Sequence, residues 1–306
     1  MGVIANNPKV YDLVASSVEV EKLATGFTFT EGRIWHPDGY LLFSDMPMDV
    51  RRKWTEAEGI VEVMKPANKC NGMTLDDDLN LIVCEHWTST VVRAKLNPDG
   101  TEASREVIAS HYQGKELNSP NDVVVASDGS IYFSDPTYGR MDVYGNPREQ
   151  DLDFQGFYRI PPAGGDLQLL AADFTQPNGL CFSPDGSTLY VNDSGALHIR
   201  RFDVNADGTV SGGEVLIDGI GDREDFAAGV CDGMKCDERG NIWVTGPGGV
   251  WVISPDGEHL GTVEVPEHTG NLNWGGPSWD VLYVPSSTSV YRFQTKVRGN
   301  RVSYMR

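Results

Sequence analysis

Five oxygen-bearing side chains, Glu31, Asn71, Asn121, Asn178 and Asp232, recur at one position of an internal repeat. Each opens a stretch with an apolar run, a tight turn, a second apolar run and a small or acidic close. The stretches read EGRIWHPDGYLLFSD, NGMTLDDDLNLIVCE, NDVVVASDGSIYFSD, NGLCFSPDGSTLYVN and DGMKCDERGNIWVTG. A less regular sixth copy, GNLNWGGPSWDVLYVPS, runs from Gly270 to Ser286. Taken singly, an Asn or Asp before Gly is a turn residue. Repeated at one position around an axis, these side chains would converge. Glu31, Asn121, Asn178 and Asp232 then offer two carboxylates and two amide carbonyls, the hard donors that calcium, magnesium or manganese prefer. The absence of His and Cys at this position disfavours a soft metal without excluding zinc or iron(II).

The spacing says what must position them. Steps between opening residues are 40, 50, 57, 54 and about 39 residues, and each unit carries several short runs of Val, Ile, Tyr, Phe and Trp bounded by turn sequences. A period of this size with four strands per unit marks a propeller. The fold expected is all-β: a six-bladed β-propeller with four-stranded antiparallel blades and almost no helix. The sixth unit is one strand short, and VEVEKL at Val18–Leu23 is expected to supply it, closing the ring and covering open edges. The expected limits are an N-terminal extension at 1–17, the propeller at 18–293 and a tail at 294–306, all one domain. The polar stretch from Asp142 to Gln155 is expected to loop over the channel mouth.

Composition narrows the function. A net charge of −19 in 306 residues argues against nucleic acid and anionic membranes, because phosphate binding needs clustered Lys and Arg. No segment reads as a signal peptide or membrane span. The five cysteines, an odd number mostly within apolar runs, suggest reduced thiols and a cytoplasmic protein. There is no G-x-S-x-G elbow and no phosphate-binding Gly loop in strand-to-helix context.

The chain resembles the family of gluconolactonases, regucalcin (senescence marker protein) and luciferin-regenerating enzyme. The resemblance rests on Thr30-Glu31-Gly32 with Trp35, Phe43-Ser44-Asp45, Asn71-Gly72, Cys84-Glu85-His86 and Leu117-Asn118-Ser119-Pro120-Asn121-Asp122. It continues through Asp128-Gly129-Ser130-Ile131-Tyr132-Phe133, Asp135-Pro136-Thr137-Tyr138-Gly139, Gln176-Pro177-Asn178-Gly179, Asp232-Gly233-Met234 and Gly275-Gly276-Pro277. These motifs span about residues 18 to 293 in order, and Leu117–Gly139 is most like the bacterial gluconolactonases. The resemblance implies a propeller with one catalytic divalent ion in the channel. Its ligands would be Glu31, Asn178 and Asp232, with Asn121 on the ion or on substrate, and Asp232 as general base. Two departures bear on substrate choice: Ser119 stands where regucalcin-like members carry arginine, and Arg33 stands where many relatives have proline.

The chemistry expected is hydrolysis of a sugar lactone or related γ- or δ-lactone to its hydroxy acid. A bound ion, calcium first among the candidates, would polarise the carbonyl, and Asp232 would take the proton of the attacking water. Asn121 would assist at the oxyanion, while Asp122 would brace the site. Asn71, His86, Tyr138, Arg33 and Asn121 are the expected substrate contacts, Trp87 is a further candidate pocket wall, and His268 a rim residue. The same cradle would also serve an aryl esterase or organophosphate hydrolase, and a non-enzymatic metal- or protein-binding propeller is the third reading. Oligomeric state is not readable.

Overall fold

A computed structural model describes residues 2–305. It contains six antiparallel sheets around one axis, each of four strands or more. Blade one comprises Thr30–His36, Tyr40–Asp45, Val50–Thr55 and Gly59–Met64, from the axis outward. Blade two begins at Cys70–Leu75, blade three at Val123–Val125, blade four at Pro177–Phe182, blade five at Met234–Cys236 and blade six at Asn273–Gly275. Among the described residues, helix is confined to the short 3-10 turns Pro8–Asp12, Tyr138–Arg140 and Phe226–Ala228. Among these residues no helix is long and apolar enough to cross a membrane.

The ring closes as the strand count requires. Glu21–Thr25 pairs with Ser289–Gln294 as the outer strand of blade six, a few residues later than the expected Val18–Leu23. The preceding extension is also built in, because Val3–Ala5 adds a fifth strand to blade five. At the other terminus the tail packs against the inner strands at one end of the channel. Asn300 N donates to Cys236 O at 2.8 Å, and Val297, Tyr304 and Met305 are buried. The tail therefore floors the channel that the inner strands wall.

Alternating apolar strand residues fill the spaces between blades, and aromatic pairs bridge neighbours. Trp35 stacks on Tyr283 between blades one and six, Trp243 meets Trp274 edge-on between five and six, and Tyr132 meets Phe182 between three and four. Nearer the axis, backbone contacts replace side chains. Gly72 N donates to Asn121 O at 2.7 Å, and a Cβ at Gly72 would lie 2.4 Å from that oxygen. A Cβ at Gly179 would likewise lie 2.2 Å from Asp232 O. The glycine after an opening residue thus lets one blade's inner strand touch the opening residue of the next.

Gly72→Ala should therefore push blades two and three apart at the axis. The expected cost is about 1–3 kcal/mol, the range of an overpacked interior, read as a lowered midpoint in thermal or urea unfolding.

Candidate active site

In three blades the opening residue sits where the inner strand breaks regular pairing, and in blades three and five it lies just before the inner strand. The register of blade one shifts between Glu31 and Arg33, that of blade two between Cys70 and Met73, and that of blade four between Pro177 and Leu180. Such bulges redirect side chains out of strict alternation. The outcome is a cavity of about 200 Å³ lined by Glu31, Asn71, Asn121, Asn178 and Asp232 together with His86 and Tyr138. The five repeat-position residues do converge.

Hydrogen bonds fix the orientation of two of the amides. Asn178 Nδ2 donates to Ser194 Oγ at 3.0 Å, and Ser194 Oγ donates its only hydrogen to Cys231 O at 2.6 Å. The hydroxyl must therefore accept from Asn178, so the Asn178 carbonyl oxygen is the free end. That oxygen is buried with no partner in the protein. At Asn71, His86 Nδ1 lies 3.1 Å from Tyr144 O and must donate to it. His86 Nε2 then accepts from Asn71 Nδ2 at 3.2 Å, and the Asn71 carbonyl oxygen is likewise buried without a partner. Two acceptors are thus held ready in the cavity.

Asn121 is presented by a clamped turn. The Asp135 carboxylate accepts from Asn118 N at 2.9 Å and Ser119 N at 2.7 Å. Burial nonetheless pushes Asp135 up to about 7 against the opposing pull of those two bonds. Ser119 is fully buried: its hydroxyl donates to Pro136 O and accepts from Gly139 N. It does not line the cavity, and packing against Gly139 leaves no space there for a longer side chain.

The two carboxylates are buried, and Glu31 raises the proton affinity of Asp232. Glu31 is 2% exposed, and its Oε2 accepts from Gly32 N at 2.8 Å and Asn271 Nδ2 at 3.1 Å. Burial raises its proton affinity, partly offset by Arg33. Asp232 is pushed well above the ordinary carboxylate range, first by burial and then by Glu31 and Asp122, while Arg33 and a hydrogen bond from Asn178 oppose the shift. A cation between them would relieve this repulsion, and the free Asn178 oxygen supplies a neutral donor. The residues present therefore fit a divalent ion. Among the described residues, no group of three or more His, Cys, Asp or Glu is placed to hold a metal, so any ion here depends on the amide oxygens.

Several expectations need revision. Arg33, expected to contact substrate, lies outside the cavity, 2% exposed, with its guanidinium on Asn271 Oδ1. The bulge at Gly32 separates it from Glu31 in register, which simple alternation could not foresee. His86 lines the cavity, but both ring nitrogens are engaged, so it orients Asn71 and has no free nitrogen for substrate. Trp87 is 46% exposed and lies outside the lining. Phe29, Met46, Tyr144, Ser194 and Val230 line the cavity unforeseen. His268, expected at the rim, lines it with Nε2 buried and unpartnered. Asn271, in the irregular sixth repeat, donates to Glu31 and accepts from Arg33. Only the expected loop over the mouth hinted at Tyr144, whose ring meets Phe29 at 5.7 Å.

Burial lowers His86 from 6.5 to about 4. The unfolded chain therefore takes up this proton first as pH falls. The stabilisation is fully present above about pH 6.5 and is lost progressively toward pH 4, with an upper magnitude of roughly 3 kcal/mol. NMR titration should show His86 as the Nδ1-protonated neutral tautomer with a midpoint near 4. A midpoint near 6.5 would contradict the buried geometry.

Comparison with known proteins identifies relatives over nearly the whole chain. The family model described as SMP-30/Gluconolactonase/LRE-like region matches residues 29–288. The chain is 30% identical over 311 aligned residues to a gluconolactonase of Zymomonas mobilis, covering 96% of this chain and 86% of that one. Among solved structures, a candidate gluconolactonase superposes with a TM-score of 0.89 at 35% identity, covering 98% of this chain and 100% of that one. A gluconolactonase from Xanthomonas campestris superposes with a TM-score of 0.86 at 27% identity, covering 96% and 95%.

Proposed function

This chain belongs to the SMP-30/gluconolactonase/LRE-like family, and on that footing we propose that it opens a neutral lactone using a divalent ion held by Glu31, Asn178 and Asp232, with Asn121 beside them. The family makes it a lactone-hydrolysing enzyme. The metal, the residue roles and the kind of lactone are the present reading. The observation carrying it is the Asn178 carbonyl oxygen, buried without a partner in a cavity shared by two repelling carboxylates.

A divalent ion bound there would polarise the lactone carbonyl and stabilise the charge developing on its oxygen. Calcium is the first candidate because every donor offered is a hard oxygen. The remaining work falls to side chains. Asp232 takes a proton from water as the water oxygen bonds to the carbonyl carbon. The ring C–O bond then breaks, and the departing alkoxide receives the proton that Asp232 holds, leaving a hydroxy acid. Burial supports this role because it raises the proton affinity of the Asp232 carboxylate. Asn121 has an amide to offer, its oxygen toward the ion or its N–H toward the developing oxyanion.

Substrate is oriented by the acceptors and walls. The free Asn71 oxygen would accept from a substrate hydroxyl, and Tyr138, whose hydroxyl bonds Ser194, closes one side. Phe29, Met46 and Val230 supply apolar wall. Among the described residues, no Lys or Arg lines the cavity. That absence suits a neutral substrate, and the acidic site would repel the carboxylate product as it forms.

The test is acid release from a panel of aldonolactones and simple γ- and δ-lactones, by metal-stripped protein and after adding calcium, magnesium, manganese, zinc or iron(II). Activity should vanish on stripping and return with an ion. Asp232→Asn should lower kcat by about 10²–10⁴ while the protein stays folded. Activity that survives stripping, or an unaffected Asp232→Asn variant, would overturn the assignment. Turnover only of aryl acetates or phosphotriesters would move it to the esterase reading.

A further inference from the structure

Around and below the candidate ligands, the channel holds an ionic layer that the proposed reaction does not use. Arg33 has its Nη2 on Asn271 Oδ1 and its Nε buried without a partner. Lys235, from the inner strand of blade five, donates from Nζ to Met234 O at 2.9 Å and lies 3.7 Å from Asp122 Oδ2. Asp122 is 2% exposed, and its Oδ2 has no hydrogen-bond partner. The Lys235 side chain is 16% exposed, and it borders a small cavity floored by Tyr304 and Met305 of the tail. Tyr304 in turn hydrogen-bonds Thr74 and Asn273. The layer is therefore ringed by the inner strands, with the tail lying beneath it.

Among the described residues, this part of the channel holds three carboxylates, Glu31, Asp122 and Asp232, against two cations, Arg33 and Lys235. The residues interact as one group. Arg33 feels Glu31, Asp122 and Asp232, and Lys235 feels Asp122 and Arg33. Arg33 also acts by geometry: it and Leu272 N both donate to Asn271 Oδ1, which leaves Nδ2 to donate to Glu31 Oε2. Three buried carboxylates with no cation would have to take up protons or a metal, whereas three with two cations are nearly balanced.

We propose that Arg33 and Lys235 are built-in counterions that let the propeller fold with the cradle empty, and that their charge holds down its affinity for a divalent ion. The inference rests on the metal reading above and deepens it. Lys235 is a positioning residue here, since it touches neither the proposed ligands nor substrate. One unit of charge in this layer should change ion affinity by about tenfold or more, the scale expected at an effective dielectric near 20.

The test is calorimetric titration of metal-stripped full-length protein with calcium alone, joined to circular-dichroism melts in excess EDTA. Wild type should unfold in one cooperative step in EDTA and still bind calcium. Lys235→Met should bind calcium about tenfold tighter and melt lower in EDTA. Asp122→Asn should bind about tenfold weaker, and the double variant should return near wild type because the net charge is restored. If Lys235→Met does not fold, Asp122→Asn and the double variant carry the test. A double variant as weak as Asp122→Asn, three variants all weaker than wild type, or an unchanged Lys235→Met would overturn the inference. Wild type unfolded in EDTA would also overturn it. A wild type that binds no divalent ion would instead sink the metal reading itself, and this inference with it.

Discussion

Placing Glu31 and Asp232 together at the axis costs folding energy, since neither carboxylate has enough water to screen it from the other. Much of the surrounding architecture answers that cost. Asn271 and the Gly32 amide donate to Glu31, Asn178 donates to Asp232, and Arg33 lies within reach of both charges. The glycines that follow the opening residues let adjacent inner strands approach closely enough to bring these groups together. A ring with wider inner strands would leave the carboxylates too far apart to share an ion.

The second organising feature is the direction of hydrogen bonds. Asn178 and Asn71 are symmetric-looking amides whose useful end is fixed by a neighbour with no other choice. Ser194 has one hydrogen and gives it to Cys231 O, while His86 must give Nδ1–H to Tyr144 O. Both amides are then left with a bare carbonyl oxygen. The loop that carries Tyr144 thereby does two things: it narrows the mouth with its ring and sets an acceptor inside the cavity with its backbone.

The repeat made the ring and its converging residues legible, because a strict position in each blade maps onto one height along the axis. Glu31, Asn71, Asn121, Asn178 and Asp232 were all found that way. What the repeat could not show were residues whose role comes from outside it. Phe29, Met46, Val230 and Tyr144 come from connecting segments, where side-chain direction follows no period. Arg33 was misplaced because a one-residue bulge breaks the two-residue alternation. Lys235 was hidden in an apolar strand, Met234–Cys236, where its character as a channel cation depends on Asp122 two blades away. The tail gave no sign that Tyr304 would reach the channel.

The most direct check of the central claim is anomalous diffraction from crystals soaked in manganese, which shows ion position without reference to any reaction. The account predicts one peak at the axis within bonding distance of Glu31, Asp232 and the Asn178 carbonyl oxygen, with the Asn178–Ser194 hydrogen bond intact. No peak in the cavity, or a peak bound only by surface carboxylates, would contradict it.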